Sequence, residues 1–243
     1  ARVGQIISSN TSGLSIGMMA QERSLQFREH FLGIHFFNPP RYMKLVELIA
    51  GPDTAPALVE KMRDFLEEVL GKGTVVARDT PNFIGNRLGV FALMDVLHSM
   101  AEGPLNVETV DGLTGSLLGR PRSATLRLCD LIGLDTLVHV AGTAYEHLPE
   151  DVQRGVFASP DFVQRMLEQG LLGSKRGAGF YHKSASGIQA LDLESLEFRE
   201  QVRPELGELF DMQLRCRLTR ARSDLGHSFG RQRGRPFDRH GLL

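Results

Sequence analysis

Two residues in this chain have the chemistry and the spacing of a proton-transfer pair. His35 lies in the run Gly33-Ile-His-Phe-Phe-Asn-Pro-Pro40, and Glu47 lies twelve positions further on, in Lys44-Leu-Val-Glu-Leu-Ile49. An imidazole can act as a general base near neutral pH, and a carboxylate on its far ring nitrogen fixes the tautomer and raises its basicity. The flanks are apolar, with Phe31, Ile34, Phe36 and Phe37 around the histidine and Leu45, Val46, Leu48 and Ile49 around the glutamate. Both polar side chains therefore interrupt strand-like runs that would otherwise be buried. Burying either alone would be costly, whereas burying them as a hydrogen-bonded pair is tolerable. Spacing by itself leaves a plainer reading open, because a histidine in an apolar run is more often a satisfied core residue and a strand glutamate often faces water.

The elements that must position this pair follow from the pattern around it. Residues 3–8 form a short apolar run ending in small polar residues, as in a buried parallel strand whose carboxyl end opens onto a site. Residues 31–37 and 44–49 read as two more strands, with Pro39-Pro40 marking the turn between them. Residues 54–70 have a helical period through Ala57, Leu58, Met62, Phe65, Leu66 and Val69, and Gly71 supplies a stop. A brief β-branched strand follows at 74–77. Together, residues 1–78 read as the second half of a doubly wound, Rossmann-type domain.

After Asp79 the pattern predicts long helices and no strands. Thr80 can cap, Pro81 takes the first helical position, and apolar residues from Phe83 to Met100 cover a broad face down to Gly103. Further helices are expected at about 107–118, 123–131, 134–148 and 159–168. The fold class expected is thus α/β followed by all-α, with a helical domain over 79–183, a connector over 184–213 and a basic tail over 214–243. That tail places arginines among Gly, Ser, Pro and His without a sustained apolar period, which is the composition of a disordered end.

Composition narrows the function. In 243 residues, 28 Lys and Arg nearly balance 29 Asp and Glu, so the charge announces neither nucleic acid nor a membrane surface. Cys129 and Cys216 lack metal-ligand or Cys-x-x-Cys spacing; no metal site and no disulfide framework is expected, and a reducing cytoplasm is the default compartment. No apolar run approaches the roughly 18 residues of a membrane span. The chain begins with Ala in what reads as the lead-in to a strand, so an upstream segment is expected to be missing.

Four segments together resemble the NAD-dependent 3-hydroxyacyl-CoA dehydrogenase family. They are Ser9-Asn-Thr-Ser-Gly-Leu14, residues 33–39, residues 44–49 and Asp79-Thr-Pro-Asn-Phe-Ile-Gly-Asn-Arg-Leu88, in the family's order, and the likeness runs from about residue 3 to about residue 200. Gly119-Arg-Pro-Arg-Ser-Ala-Thr-Leu126, Gly133-Leu-Asp-Thr-Leu-Val-His139 and Gly177-Ala-Gly-Phe-Tyr181 further resemble the bacterial branch in which the dehydrogenase is fused to an enoyl-CoA hydratase. Residues 187–199 are similar to the connector that follows in that branch. The resemblance implies interconversion of (S)-3-hydroxyacyl-CoA and 3-oxoacyl-CoA with NAD in fatty acid β-oxidation.

It also implies roles. His35 would be the base and Glu47 its support; Ser12, Asn38 and Asn86 would contact substrate; Asn10 and Lys175 would approach the cofactor. Four of the last five have a plainer reading: Ser12 as a loop cap, Asn38 as a turn residue before proline, Asn86 as a polar residue on a solvated helix face, Lys175 as part of a flexible basic loop. The sequence departs from the family in lacking the Gly-x-Gly-x-x-Gly turn that holds the pyrophosphate. An incomplete fragment with exposed sheet edges is therefore expected. The partners implied are an acyl-CoA substrate and a second copy, paired through the helical domain, where residues 92–100 offer apolar surface; neither nucleic acid nor membrane insertion is expected. Two alternatives stand beside this reading, a noncatalytic helical association module and a dehydrogenase of a free hydroxy acid. The His-x-x-Asn-Pro motif with a glutamate twelve residues beyond the histidine counts against the second.

Overall fold

The computed structural model describes residues 5–202 and Pro204. The first expected strand is β1 (Ile7–Ser9), followed by α1 (Ile16–Ala20) and α2 (Leu25–Glu29), two helices of five residues each, too short to leave a periodic signal. Then come β2 (Phe31–Phe36), β3 (Leu45–Ala50), α3 (Pro56–Asp64) and β4 (Gly73–Ala77). The strands lie side by side in the order β1-β2-β3-β4; β1 runs parallel to β2, β2 antiparallel to β3, and β3 parallel to β4.

Alternation along the strands sorts side chains onto two faces. Leu32, Ile34, Val46 and Leu48 are buried against Leu58 and Val59 of α3 and Leu66 of the π-helical turn that extends it. Full burial of such side chains contributes about 1.5–3 kcal/mol each. The opposite face carries Phe31 and Ile49 under Ile16 and Ala20 of α1. Gly33 belongs to this face, and a Cβ there would come within 2.9 Å of Ile16 Cδ1. His35 and Glu47 share its phase. The helix expected from Thr54 starts at Pro56 instead, because the buried Thr54 hydroxyl donates to the Phe31 carbonyl (2.6 Å) and accepts from the Gly51 N–H (2.8 Å).

The helical part consists of α4 (Gly85–Glu102), α5 (Val107–Thr114), α6 (Leu126–Ile132), α7 (Leu134–His147) and α8 (Asp161–Glu168). Leu93, Met94, Leu97 and Met100 of α4 are buried with Val110, Leu137, Ala141 and Met166. The apolar residues at 92–100 that the sequence offers for association are thus largely taken up inside this core. No helix among the described residues is long and apolar enough to cross a membrane.

Two expectations fail, each for a physical reason. Thr80 and Pro81 do not open α4: Asn82 (φ 61°) and Phe83 (φ 48°) adopt left-handed backbone, and the helix begins at Gly85. Asn82 is fixed by its amide donating to the Val140 carbonyl (2.9 Å), and Phe83 is buried with the α1 face of the sheet. The absence of strands after Asp79 fails as well. β5 (Tyr181–Ser184), β6 (Gly187–Leu191) and β7 (Phe198–Glu200) form an antiparallel sheet across the expected end of the helical domain, and the stretch expected as a connector carries β6 and β7. Ala190, Leu191 and Leu196 are buried in the helical core. Buried carboxylates fasten this sheet. Asp130 of α6 accepts from the N–H groups of Phe180 (2.8 Å) and Tyr181 (2.9 Å), and Glu108 of α5 accepts from the Arg199 guanidinium (2.7 and 3.0 Å) and the Val202 N–H (2.7 Å). The Gly177-Ala-Gly-Phe-Tyr181 motif belongs to this fastening, since a Cβ on Gly179 would sit 2.0 Å from Asp130 Oδ1. The arginine-rich tail at 214–243 lies outside the described residues.

Candidate active site

In the antiparallel pairing of β2 with β3, His35 stands directly opposite Glu47. Cross-strand partners project to the same face, so the twelve-residue spacing becomes a contact. His35 Nδ1 lies 2.6 Å from Glu47 Oε2, with the histidine 5 % and the glutamate 0 % exposed. The imidazole is flanked by the rings of Phe37 (centroids 4.6 Å apart) and Phe83 (5.8 Å).

Glu47 has a second set of partners. Its Oε1 accepts from the backbone N–H groups of Ile84 (2.9 Å) and Gly85 (2.8 Å), where α4 begins. Burial alone would push its carboxyl up, but the His35 hydrogen bond and the N–H groups of Gly85 and Ile84 outweigh it and hold the group below its ordinary range. Glu47 is therefore a carboxylate near neutral pH and cannot donate. Nδ1 of His35 must carry the proton between them, which leaves Nε2 as the basic nitrogen of the neutral ring.

The structure gathers most of the remaining candidates around this pair. Asn10 is exposed just beyond β1, and its Oδ1 accepts from the Phe36 N–H (2.9 Å), beside His35. Asn86, in the first turn of α4, donates from Nδ2 to the Ser12 carbonyl (3.0 Å). Asn86 thereby ties the loop after β1 to the helix, and Ser12 is exposed with no hydrogen bond to its hydroxyl among the described residues. Asn38 is exposed at the β2–β3 turn, where its peptide bond to Pro39 is cis. Lys175 is not brought into this group by any contact: it lies on a 3-10 turn of the helical part, with its ammonium 3.5 Å from the Ile132 carbonyl.

Sequence reasoning missed the parts of the site that are backbone or ring. The N–H groups of Ile84 and Gly85 carry no side-chain signature, and the aromatic walls Phe37 and Phe83 read as ordinary core. One signal was present, namely a glycine at 85 inside the apolar helical period that runs from Phe83.

Residues 1–80 match the family model for the NAD-binding domain of 3-hydroxyacyl-CoA dehydrogenase, and residues 83–183 match the model for its C-terminal domain. The chain belongs to the 3-hydroxyacyl-CoA dehydrogenase family. It is 48 % identical over 202 residues to a probable 3-hydroxyacyl-CoA dehydrogenase of Bacillus subtilis, covering 83 % of this chain and 26 % of that protein. A probable 3-hydroxyacyl-CoA dehydrogenase of Deinococcus radiodurans is 43 % identical over 179 residues, covering 74 % of this chain and 51 % of that one. The crystal structure of FadB2 from M. tuberculosis superposes with a TM-score of 0.67 at 34 % identity, covering 76 % of this chain and 62 % of that one. The chain thus spans about a quarter and about half of the two curated relatives.

For the family's dinucleotide, the described residues fit the reacting end. The amide nitrogen of Asn10 and the Ser12 hydroxyl are exposed hydrogen-bonding groups past the carboxyl end of β1, on the side of the sheet end where His35 lies. No glycine-rich turn of the pyrophosphate-binding kind joins a strand to a helix among the described residues.

Proposed function

We propose that this chain carries the proton-transfer site of an NAD-dependent dehydrogenase that interconverts (S)-3-hydroxyacyl-CoA and 3-oxoacyl-CoA. The observation that carries the reading is the buried His35–Glu47 pair, in which an ionised carboxylate leaves Nε2 free to take a proton. In the oxidative direction His35 Nε2 accepts the proton of the substrate's 3-hydroxyl as the carbon–oxygen double bond forms. Glu47 keeps its hold on Nδ1–H and stabilises the imidazolium that results. In the reductive direction the imidazolium returns that proton to the ketone oxygen. NAD, when bound, would supply the acceptor for the hydride that leaves C3. Asn10 would hold the cofactor's reacting end, and Ser12 and Asn38 would orient the substrate oxygen and thioester. Asn86 acts on the same loop by holding the Ser12 carbonyl. Lys175 would reach the cofactor only from the helical part.

The reading extends to the larger protein. The Bacillus subtilis relative is about four times the matched length, which agrees with a fused β-oxidation enzyme of the dehydrogenase and enoyl-CoA hydratase type. A homodimer formed through the helical part and a cytoplasmic site of action go with it. Because Leu93, Met94, Leu97 and Met100 face the intramolecular core, the homodimer and the alternative association module alike would have to use other surface of the helical part.

The test is NADH-coupled reduction of acetoacetyl-CoA by this chain extended upstream through a glycine-rich turn, with acetoacetate as the free-acid control. Turnover of the thioester alone, abolished by His35→Ala, is the expected result. Turnover of the free acid in preference would point to a hydroxy-acid dehydrogenase. No turnover of either would remove the dehydrogenase reading.

A further inference from the structure

We propose that Gly85 is a positioning residue of this proton-transfer site, through which the first turn of α4 orients the Glu47 carboxylate and thereby holds the His35 ring in place. This deepens the function proposed above and rests on it for its catalytic consequence, though not for its structural content.

The carboxylate of Glu47 is divided between two parts of the molecule. Oε2 faces His35 within the sheet (2.6 Å), while Oε1 faces the N–H groups of Ile84 (2.9 Å) and Gly85 (2.8 Å). Bonds at both oxygens fix the plane of the carboxylate, so Oε2 stays aligned with Nδ1 rather than rotating away. The N–H groups at the start of an 18-residue helix also carry partial positive charge, which favours the anion. Burial pushes the Glu47 carboxyl up, and these two N–H groups act with His35 to reverse that push.

The close approach of the helix requires glycine at position 85. A Cβ there would meet Phe37 Cζ at 2.4 Å and Cε1 at 2.8 Å. Phe37 is the residue whose ring lies 4.6 Å from the imidazole. One ring therefore fills the space left by the missing side chain and walls the base. A side chain at 85 must displace the Phe37 ring from its place beside His35 or lift the helix from Glu47. The left-handed backbone of Asn82 and Phe83 belongs to the same device, because the turn they make delivers the two N–H groups to Oε1.

The experiment follows the Glu47 carboxyl by carbon-13 NMR through a pH titration of this 243-residue chain, in wild type, Gly85→Ala and Gly85→Ala/Phe37→Leu. Gly85→Ala keeps the N–H group and adds only the methyl, and the expected result is a Glu47 midpoint moved up in pH and restored by making room at Phe37. In the upstream-extended enzyme, kcat of Gly85→Ala should fall on the order of tenfold with KM for acetoacetyl-CoA unchanged, the loss of one charge-assisted hydrogen bond. A folded Gly85→Ala with a wild-type Glu47 titration would overturn the proposal and leave Gly85 a packing residue. Should Gly85→Ala not fold, Glu47→Gln in the same chain decides the matter. The amide protons of Ile84 and Gly85 should lose downfield shift and exchange faster if the bonds to the carboxylate exist, and their unchanged signals would refute it. These readouts need no substrate, so they stand apart from any failure of the dehydrogenase reading.

Discussion

Glu47 in the sheet and Asp130 in the helical part are both buried carboxylates that accept two backbone N–H groups, yet their charges are driven in opposite directions. Burial pushes both carboxyls up. At Glu47 the hydrogen bond from His35, added to those from Gly85 and Ile84, reverses that push. At Asp130 the N–H groups of Phe180 and Tyr181 cannot, and the nearby Asp111 adds repulsion, so the group is pushed up to about 6. Two N–H groups suffice to seat a carboxylate in a core, but a cationic or proton-sharing partner is needed to bring its pKa below the ordinary value there. In the proposed function the sheet's carboxylate serves the chemistry, whereas the helical part's carboxylate fastens a sheet.

The comparison is broken most severely at the chemical pair. His35→Ala and Glu47→Gln in the upstream-extended enzyme should each lower kcat/KM for acetoacetyl-CoA by about 100- to 10,000-fold, the usual contribution of a general base and its support. Far-UV circular dichroism should remain that of the wild type. The fastener gives the reverse pattern. Gly179→Ala places a methyl 2.0 Å from Asp130 Oδ1 and should cost about 3 kcal/mol in urea unfolding while leaving the Glu47 titration in place.

Arg199→Ala strips the buried Glu108 of its guanidinium and should destabilise by about 2 kcal/mol, less than a fully buried pair because Arg199 is 30 % exposed. Removal of the β7 contact should show first as faster amide exchange in β6 and β7. The smallest effect is a pH slope. Asp130 binds its proton more tightly folded than unfolded, so its contribution to stability is fully present below the ordinary value of 3.8 and declines as pH rises towards about 6. Glu47 and Glu108, with lowered folded values, contribute in the opposite sense, and their share is lost as pH falls below the ordinary 4.5. Urea unfolding across this range should lose the declining component in Asp130→Asn and keep the other.

The same contrast explains what could be read from the sequence. The apolar runs around His35 and Glu47 marked two strands with one polar interruption each, and the antiparallel register of β2 and β3 then sets the two residues on one face. The amphipathic stripes of α3, α4 and α7 were legible for the same reason. The start of α4 was not, because Thr80 and Pro81 are good local helix openers and the left-handed turn at Asn82 and Phe83 is held by long-range contacts to Val140 and the sheet. Short strands such as β5, with Tyr181 and His182 half-buried and Lys183 exposed, have too few apolar positions to announce themselves. Their sheet is fixed by Asp130 and Glu108, both distant in sequence. The place of the Lys175 ammonium, 3.5 Å from the Ile132 carbonyl, depends on a contact distant in sequence that no local pattern announces.

The most direct test of the account is the tautomer of His35. Nitrogen-15 NMR of histidine-labelled chain at about pH 8, where an ordinary imidazole is neutral, resolves which ring nitrogen holds the proton. The account predicts Nδ1–H bonded to Glu47, shifted downfield and lost from that position in Glu47→Gln, with Nε2 unprotonated and available to substrate. A proton resident on Nε2 would contradict it, because the nitrogen assigned to take the substrate's proton would already be filled.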